Sequence, residues 1–124
     1  MPGPLTDKRV LVVEDEAYIA FDLRQALAAA GAVVLGPVPD AAAATALVNS
    51  QAIDAAVLDV NLGGEASFPL AEALAGKSVP YMFLTGYDGW SLPERHRATA
   101  RLGKPFTMSK VMQMVEQLCT AKRA

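Results

Sequence analysis

Val10-Leu11-Val12-Val13 and Ala55-Ala56-Val57-Leu58 are continuously apolar runs of strand length, each ending in acid. A strand that alternates apolar and polar residues has one wet face, whereas an unbroken apolar run belongs to a strand covered on both faces. Runs of this kind separated by longer helical patterns are the signature of βα units on a parallel sheet. Ile19, Leu23, Ala26, Leu27 and Ala30 recur at helical spacing, and Gly31 is placed to end that helix. Val33-Val34-Leu35 reads as a second strand stopped by Gly36-Pro37, and Asp40 as the cap of an alanine-rich helix with Ala44, Leu47 and Val48 facing inward. A turn at Gly63-Gly64 precedes a third helix over about 68–75, and Val79 to Thr85 forms the fourth strand. Ala100-Arg101-Leu102 is a short fifth strand, and Met108, Val111, Met112, Val115, Leu118 and Cys119 stripe the last helix. The stretch from Gly86 to Ala98 has two glycines, Pro93 and no apolar period, so a loop or a broken turn is expected where a fourth helix would stand. The expected fold is α/β: one doubly wound, five-stranded parallel sheet of order 2-1-3-4-5, helices on both faces, and a degraded fourth helix.

At 124 residues the chain is read as one domain with a core at about 9–120 and no output domain. An apolar fraction of 52% with a net charge of −2 excludes intrinsic disorder and gives no electrostatic case for nucleic acid. No apolar run approaches the roughly 20 residues of a membrane helix, and no secretory signal is visible, so a cytoplasmic protein with no membrane partner is expected. The single cysteine, Cys119, leaves no internal disulfide and falls on the apolar stripe of the last helix.

The chemistry lies at the strand ends. Ligands of an open parallel sheet collect outside the carboxyl ends of its strands, and Glu14, Asp15, Asp59, Thr85 and Lys104 all fall there. Two like charges ~5 Å apart repel by roughly 3 kcal/mol at an effective dielectric of about 20. Folding alone would not select such a nest, so a cation or a chemical role is needed. Carboxylate oxygens suit Mg2+ with water completing its shell, and Lys104 suits a phosphate or carboxylate. Acid, metal, hydroxyl and lysine together fit phosphoryl transfer, in which catalysis is mostly positioning and charge neutralisation.

The acidic pair after the first strand, Asp59 after the third, Thr85 after the fourth and Lys104-Pro105-Phe106 after the fifth resemble the receiver domain of two-component response regulators. The resemblance runs from about Arg9 to Leu118. It implies a stand-alone response regulator with Asp59 as phosphoacceptor, taking its phosphoryl group from a sensor histidine kinase or histidine phosphotransfer protein and acting on an unknown downstream protein. It further implies Mg2+ held by Glu14, Asp15, Asp59 and the backbone carbonyl of Asn61, with Thr85 and Lys104 on the phosphoryl group. Such a module is not an enzyme with an external substrate. In this family the bond before the proline at Pro105 is usually cis.

Two departures stand out. The aromatic that receivers commonly carry three positions before the lysine is replaced by Arg101. Phe83-Leu84-Thr85-Gly86-Tyr87 resembles, without matching letter for letter, the receiver subclass named for its Phe-Ala-Thr-Gly-any-Tyr motif, in which the fourth helix is reduced. Tyr87 is therefore a candidate for the switching that Arg101 cannot perform. Glu16 is assigned to the first helical turn, where an acid suits the helix dipole, and is left out of the site. Arg95-His96-Arg97 reads as a solvated basic loop, His96 is given no chemistry, and Trp90 is either a packing anchor or an exposed contact. The rivals are a partner-binding pseudo-receiver and a Mg2+-dependent phosphohydrolase. Against the latter, Asn61 stands where such a hydrolase wants a second acid.

Overall fold

The computed structural model describes residues 3–86, 93–96 and 98–123. Five strands, β1 (Arg9–Val13), β2 (Val33–Val38), β3 (Ala55–Asp59), β6 (Tyr81–Thr85) and β7 (Arg101–Gly103), form a parallel sheet of order β2-β1-β3-β6-β7. Counted among the parallel strands alone, this is the expected order 2-1-3-4-5. Two further strands, β4 (Asn61–Leu62) and β5 (Glu65–Ala66), pair antiparallel around Gly63-Gly64 and turn the predicted bend into a miniature hairpin.

Side-chain alternation along the strands divides the core in two. Val10 and Val12 of β1, Ala55 and Val57 of β3, and Met82 and Leu84 of β6 pack with Leu23 and Leu27 of α1 (Ala17–Ala29) and Val111, Val115 and Cys119 of α4 (Met108–Arg123). Their neighbours Leu11, Val13, Ala56, Leu58 and Phe83 point the other way, onto Ala44 and Val48 of α2 (Ala41–Ser50) and Leu70, Ala71 and Leu74 of α3 (Phe68–Gly76). The central strands are buried on both sides because helices cover both faces, which explains their unbroken apolar sequences. No helix among the described residues is long and apolar enough to cross a membrane.

Helix ends follow local chemistry. The Asp40 carboxylate accepts the Ala43 N–H at 2.8 Å and caps α2. α1 closes at Ala30, and Gly31 continues with φ of +96°, a conformation that a side chain resists. A Cβ there would stand 2.9 Å from the Thr6 Cα, which is backbone and cannot swing away. Gly31→Ala is expected to cost about 2 kcal/mol and to lower Tm by several degrees in a thermal melt. An unchanged Tm would contradict this account of the turn.

Two details differ from the sequence reading. β2 does not stop at Gly36-Pro37 but runs to Val38, with a shift of its register to β1 between Leu11 and Val13. Pro37 lacks an N–H, which an edge strand tolerates, and β2 is the sheet edge. The ladder of β6 begins at Tyr81, because the Val79 N–H still closes the end of α3 on the Leu74 carbonyl. Between β6 and β7 the described residues hold one 3-10 turn, Glu94–His96, in keeping with the expected loss of a fourth helix. Tyr87, Trp90 and Arg97 lie outside the described residues.

Candidate functional site

The parallel register brings the C-terminal ends of β1, β3, β6 and β7 to one edge. Glu14 follows β1 and donates its backbone N–H to the Val38 carbonyl, while Asp59 ends β3 beside Leu84. The Lys104 N–H reaches the Thr85 carbonyl at 2.6 Å, fixing the lysine across the end of β6. The bond to Pro105 is cis. Between these ends opens a cavity of about 310 Å³ lined by Asp15, Glu16, Asp59, Asn61, Gly63, Gly86 and Lys104.

Carboxylate oxygens of Glu14, Asp15 and Asp59 lie within 4.8 Å of one another. The Lys104 ammonium sits over them, 2.9 Å from Asp59 Oδ2, 2.9 Å from Glu16 Oε1 and 3.3 Å from Glu14 Oε1. The other Asp59 oxygen, Oδ1, accepts the Asn61 N–H at 3.1 Å, and Glu14 Oε2 accepts the Glu16 N–H at 3.1 Å. Asn61 directs its side-chain carbonyl to the Gly64 N–H at 2.7 Å, which shapes the β4–β5 hairpin around the cavity.

The electrostatics are uneven. Glu14 is pushed up to about 8: burial dominates, the facing Asp59 carboxyl adds to it, and the Glu16 N–H and Lys104 oppose it. Burial alone would lower Lys104. Hydrogen bonds to Asp59 and Glu16 and the charges of Glu14 and Asp59 outweigh that, and its ammonium is held above its ordinary value. Glu14 Oε1 is fully buried and accepts no hydrogen bond, since the nearby ammonium is not aligned to donate to it. Three carboxylates that share one ammonium, with Glu14 Oε1 left without a hydrogen bond, call for a proton or a further cation. Three oxygen anions of this kind fit a hard divalent ion such as Mg2+.

The structure thus groups Glu14, Asp15, Asp59 and Lys104, with Asn61 on the rim. Thr85 ends β6 at the same edge, its backbone tied to Lys104. Glu16 corrects the sequence reading. It is the N-cap of α1 rather than a residue of its first turn, makes no cap hydrogen bond, and turns its carboxylate onto Lys104. Its place directly after the acidic pair was the available signal.

His96 is the second correction. Far from a solvated loop, it is only 3% exposed, stacked on Phe68 at 5.5 Å and edge-on to Phe83 at 5.3 Å. Its neighbour Arg95 bonds Glu72 of α3 at 2.6 Å, and Arg101 donates to the His96 carbonyl at 3.4 Å. Arg101 thus helps hold the 3-10 turn. Burial, reinforced by the Arg95 charge and opposed by Glu72, lowers the His96 pKa. Below the usual histidine value the unfolded chain therefore binds a proton that the folded chain refuses, so stability drops as the pH is lowered. Replacing the ring by Phe removes that penalty. Tm of His96→Phe relative to the parent is expected to rise between pH 7 and pH 5, and a constant difference would contradict a buried neutral imidazole.

A family model described as the response regulator receiver domain matches residues 10–116. The chain is 33% identical over 126 aligned positions to the transcriptional regulatory protein PdtaR of Mycobacterium tuberculosis, the match covering 94% of this chain. It spans 62% of the length of that relative. The solution structure of SdrG from Sphingomonas melonis Fr1 superposes with a TM-score of 0.80 at 43% identity, covering 90% of this chain and 96% of that one. A second SdrG structure, the BeF3-activated conformation from Pseudomonas melonis Fr1, gives a TM-score of 0.75 at 43% identity, covering 92% and 98%.

Proposed function

This chain belongs to the response regulator receiver domain family, and from that premise we propose that Asp59 accepts a phosphoryl group from a phosphohistidine of a sensor kinase or phosphotransfer protein. The observation that carries the reading is the convergence of Glu14, Asp15 and Asp59 with the Lys104 ammonium 2.9 Å from Asp59. The likeness to SdrG, which has a BeF3-activated conformation, supports it.

In the proposed reaction an Asp59 oxygen attacks phosphorus, the P–O bond forms as the P–N bond breaks, and the imidazole leaves. Lys104 pairs with the phosphoryl oxygens, whose negative charge replaces that of the Asp59 carboxylate, and the Thr85 hydroxyl donates a hydrogen bond to them. Glu14, Asp15, Asp59 and the backbone carbonyl of Asn61 would hold Mg2+, which supplies neutralisation of the charge spread over the transferring group. Each chain accepts one phosphoryl group and returns it to water, so the product is a changed state of the protein rather than a released compound. That state changes affinity for a downstream protein in the cytoplasm.

Incubation with acetyl phosphate and Mg2+ tests the proposal, with intact-mass spectrometry as the readout. One phosphoryl group per chain is the expected result. An unlabelled chain would leave only a partner-binding role, and sustained turnover of acetyl phosphate without a labelled protein would point to a hydrolase.

A further inference from the structure

An ammonium carries three protons, and in the unphosphorylated site three carboxylates surround that of Lys104: Asp59 and Glu16 at 2.9 Å each and Glu14 at 3.3 Å. The ammonium donates to Asp59 and Glu16 but not to Glu14, so an incoming phosphoryl oxygen competes for it with the acids already holding it. The three acids differ in their freedom to yield it. The Glu14 side chain is 0% exposed, and its second oxygen is tied to the Glu16 N–H. The Asp59 side chain is 5% exposed, and Asn61 holds its other oxygen. The Glu16 side chain is 59% exposed, lines the cavity, and makes no hydrogen bond to the helix it precedes. It alone of the three can swing into water without burying or stranding a charge.

We infer that Glu16 is a displaceable placeholder on Lys104: its carboxylate occupies the ammonium in the unphosphorylated protein and competes for it with a phosphoryl oxygen. This rests on the reading of Asp59 as phosphoacceptor. Glu16 is then a positioning residue that acts through Lys104 and opposes occupancy of the site until the phosphoryl group arrives. The contact keeps Lys104 from folding wholly onto Asp59 and Glu14, and it sets a threshold that a weakly bound anion does not pass.

Calorimetric titration with beryllofluoride at saturating Mg2+ tests this on the full chain, comparing the parent with Glu16→Gln and Glu16→Asp. Removing an ion pair of this exposure is expected to tighten beryllofluoride binding about threefold to fivefold in Glu16→Gln. Glu16→Asp keeps the charge in the cavity but withdraws it by one methylene, roughly 1.5 Å, so it is expected to tighten binding nearly as much. Unchanged or weaker binding in Glu16→Gln overturns the inference. Tightening in Glu16→Gln with parent-like binding in Glu16→Asp also overturns it, because charge in the cavity and not the Lys104 contact would then be responsible. A parent protein that binds no beryllofluoride at saturating Mg2+ overturns the phosphoacceptor reading itself, and the inference falls with it.

Discussion

Asp59→Asn is expected to reduce phosphoryl incorporation from acetyl phosphate to the assay background, a loss of at least about a hundredfold. The substitution keeps the shape of the side chain, and the amide oxygen can still accept the Asn61 N–H that Asp59 accepts at 3.1 Å. It removes the nucleophile, since an amide oxygen does not form a stable acyl phosphate. It also removes one of the charges that hold Lys104, so the ammonium leans toward Glu16 and Glu14. Because Asp59 packs at a strand end and not within the two apolar layers, the circular dichroism spectrum of the variant should match that of the parent. Full labelling of the folded variant would show that another residue takes the phosphoryl group.

Mg2+ affinity is expected to rise about a hundredfold between pH 6 and pH 8 and to level off above. Glu14 is raised to about 8, first by burial and then by the facing Asp59, so near neutrality the metal-free site holds a proton on this acid pair. A divalent ion takes the place of that proton, and below the raised value its apparent affinity gains about tenfold per pH unit. The same shift acts on folding. A carboxyl whose folded pKa is raised stabilises the metal-free protein fully below its ordinary value of 4.5, and that contribution is lost as pH climbs toward 8. Mg2+ should therefore raise Tm most at high pH, where the ionised pair is most strained. In Glu14→Gln the pH slope should flatten and the affinity fall. Calorimetry in two buffers of different ionisation enthalpy checks the mechanism, with close to one proton released per ion at pH 7. An affinity independent of pH would contradict a protonated Glu14.

How much of this was legible in the sequence follows from what each residue answers to. Val10 to Val13 and Ala55 to Leu58 are buried on both faces, so their apolarity is written in consecutive letters and the parallel sheet follows from it. The acids, Thr85 and Lys104 could be placed at one edge because strand ends in such a sheet share an edge. Glu16 was misplaced because an acid at a helix start has a local explanation in the dipole. Its partner Lys104 is remote in sequence, and local patterns do not reveal such a pair. His96 was misread for a related reason. Its neighbours are basic, and nothing nearby signals that Phe68, Tyr81 and Phe83 form an aromatic pocket for it. The run of β2 through Pro37 depends on β2 being an edge, which is a property of the sheet and not of the dipeptide.

The most direct measurement is to locate the phosphoryl group. The chain labelled with acetyl phosphate and Mg2+ would be trapped by borohydride, which reduces an acyl phosphate to a stable alcohol, and mapped by peptide mass spectrometry. If Asp59 is the phosphoacceptor, one residue is modified, Asp59, converted to homoserine in proportion to the label. A label on any other side chain, or an Asp59 peptide left unmodified in a labelled protein, would contradict that role.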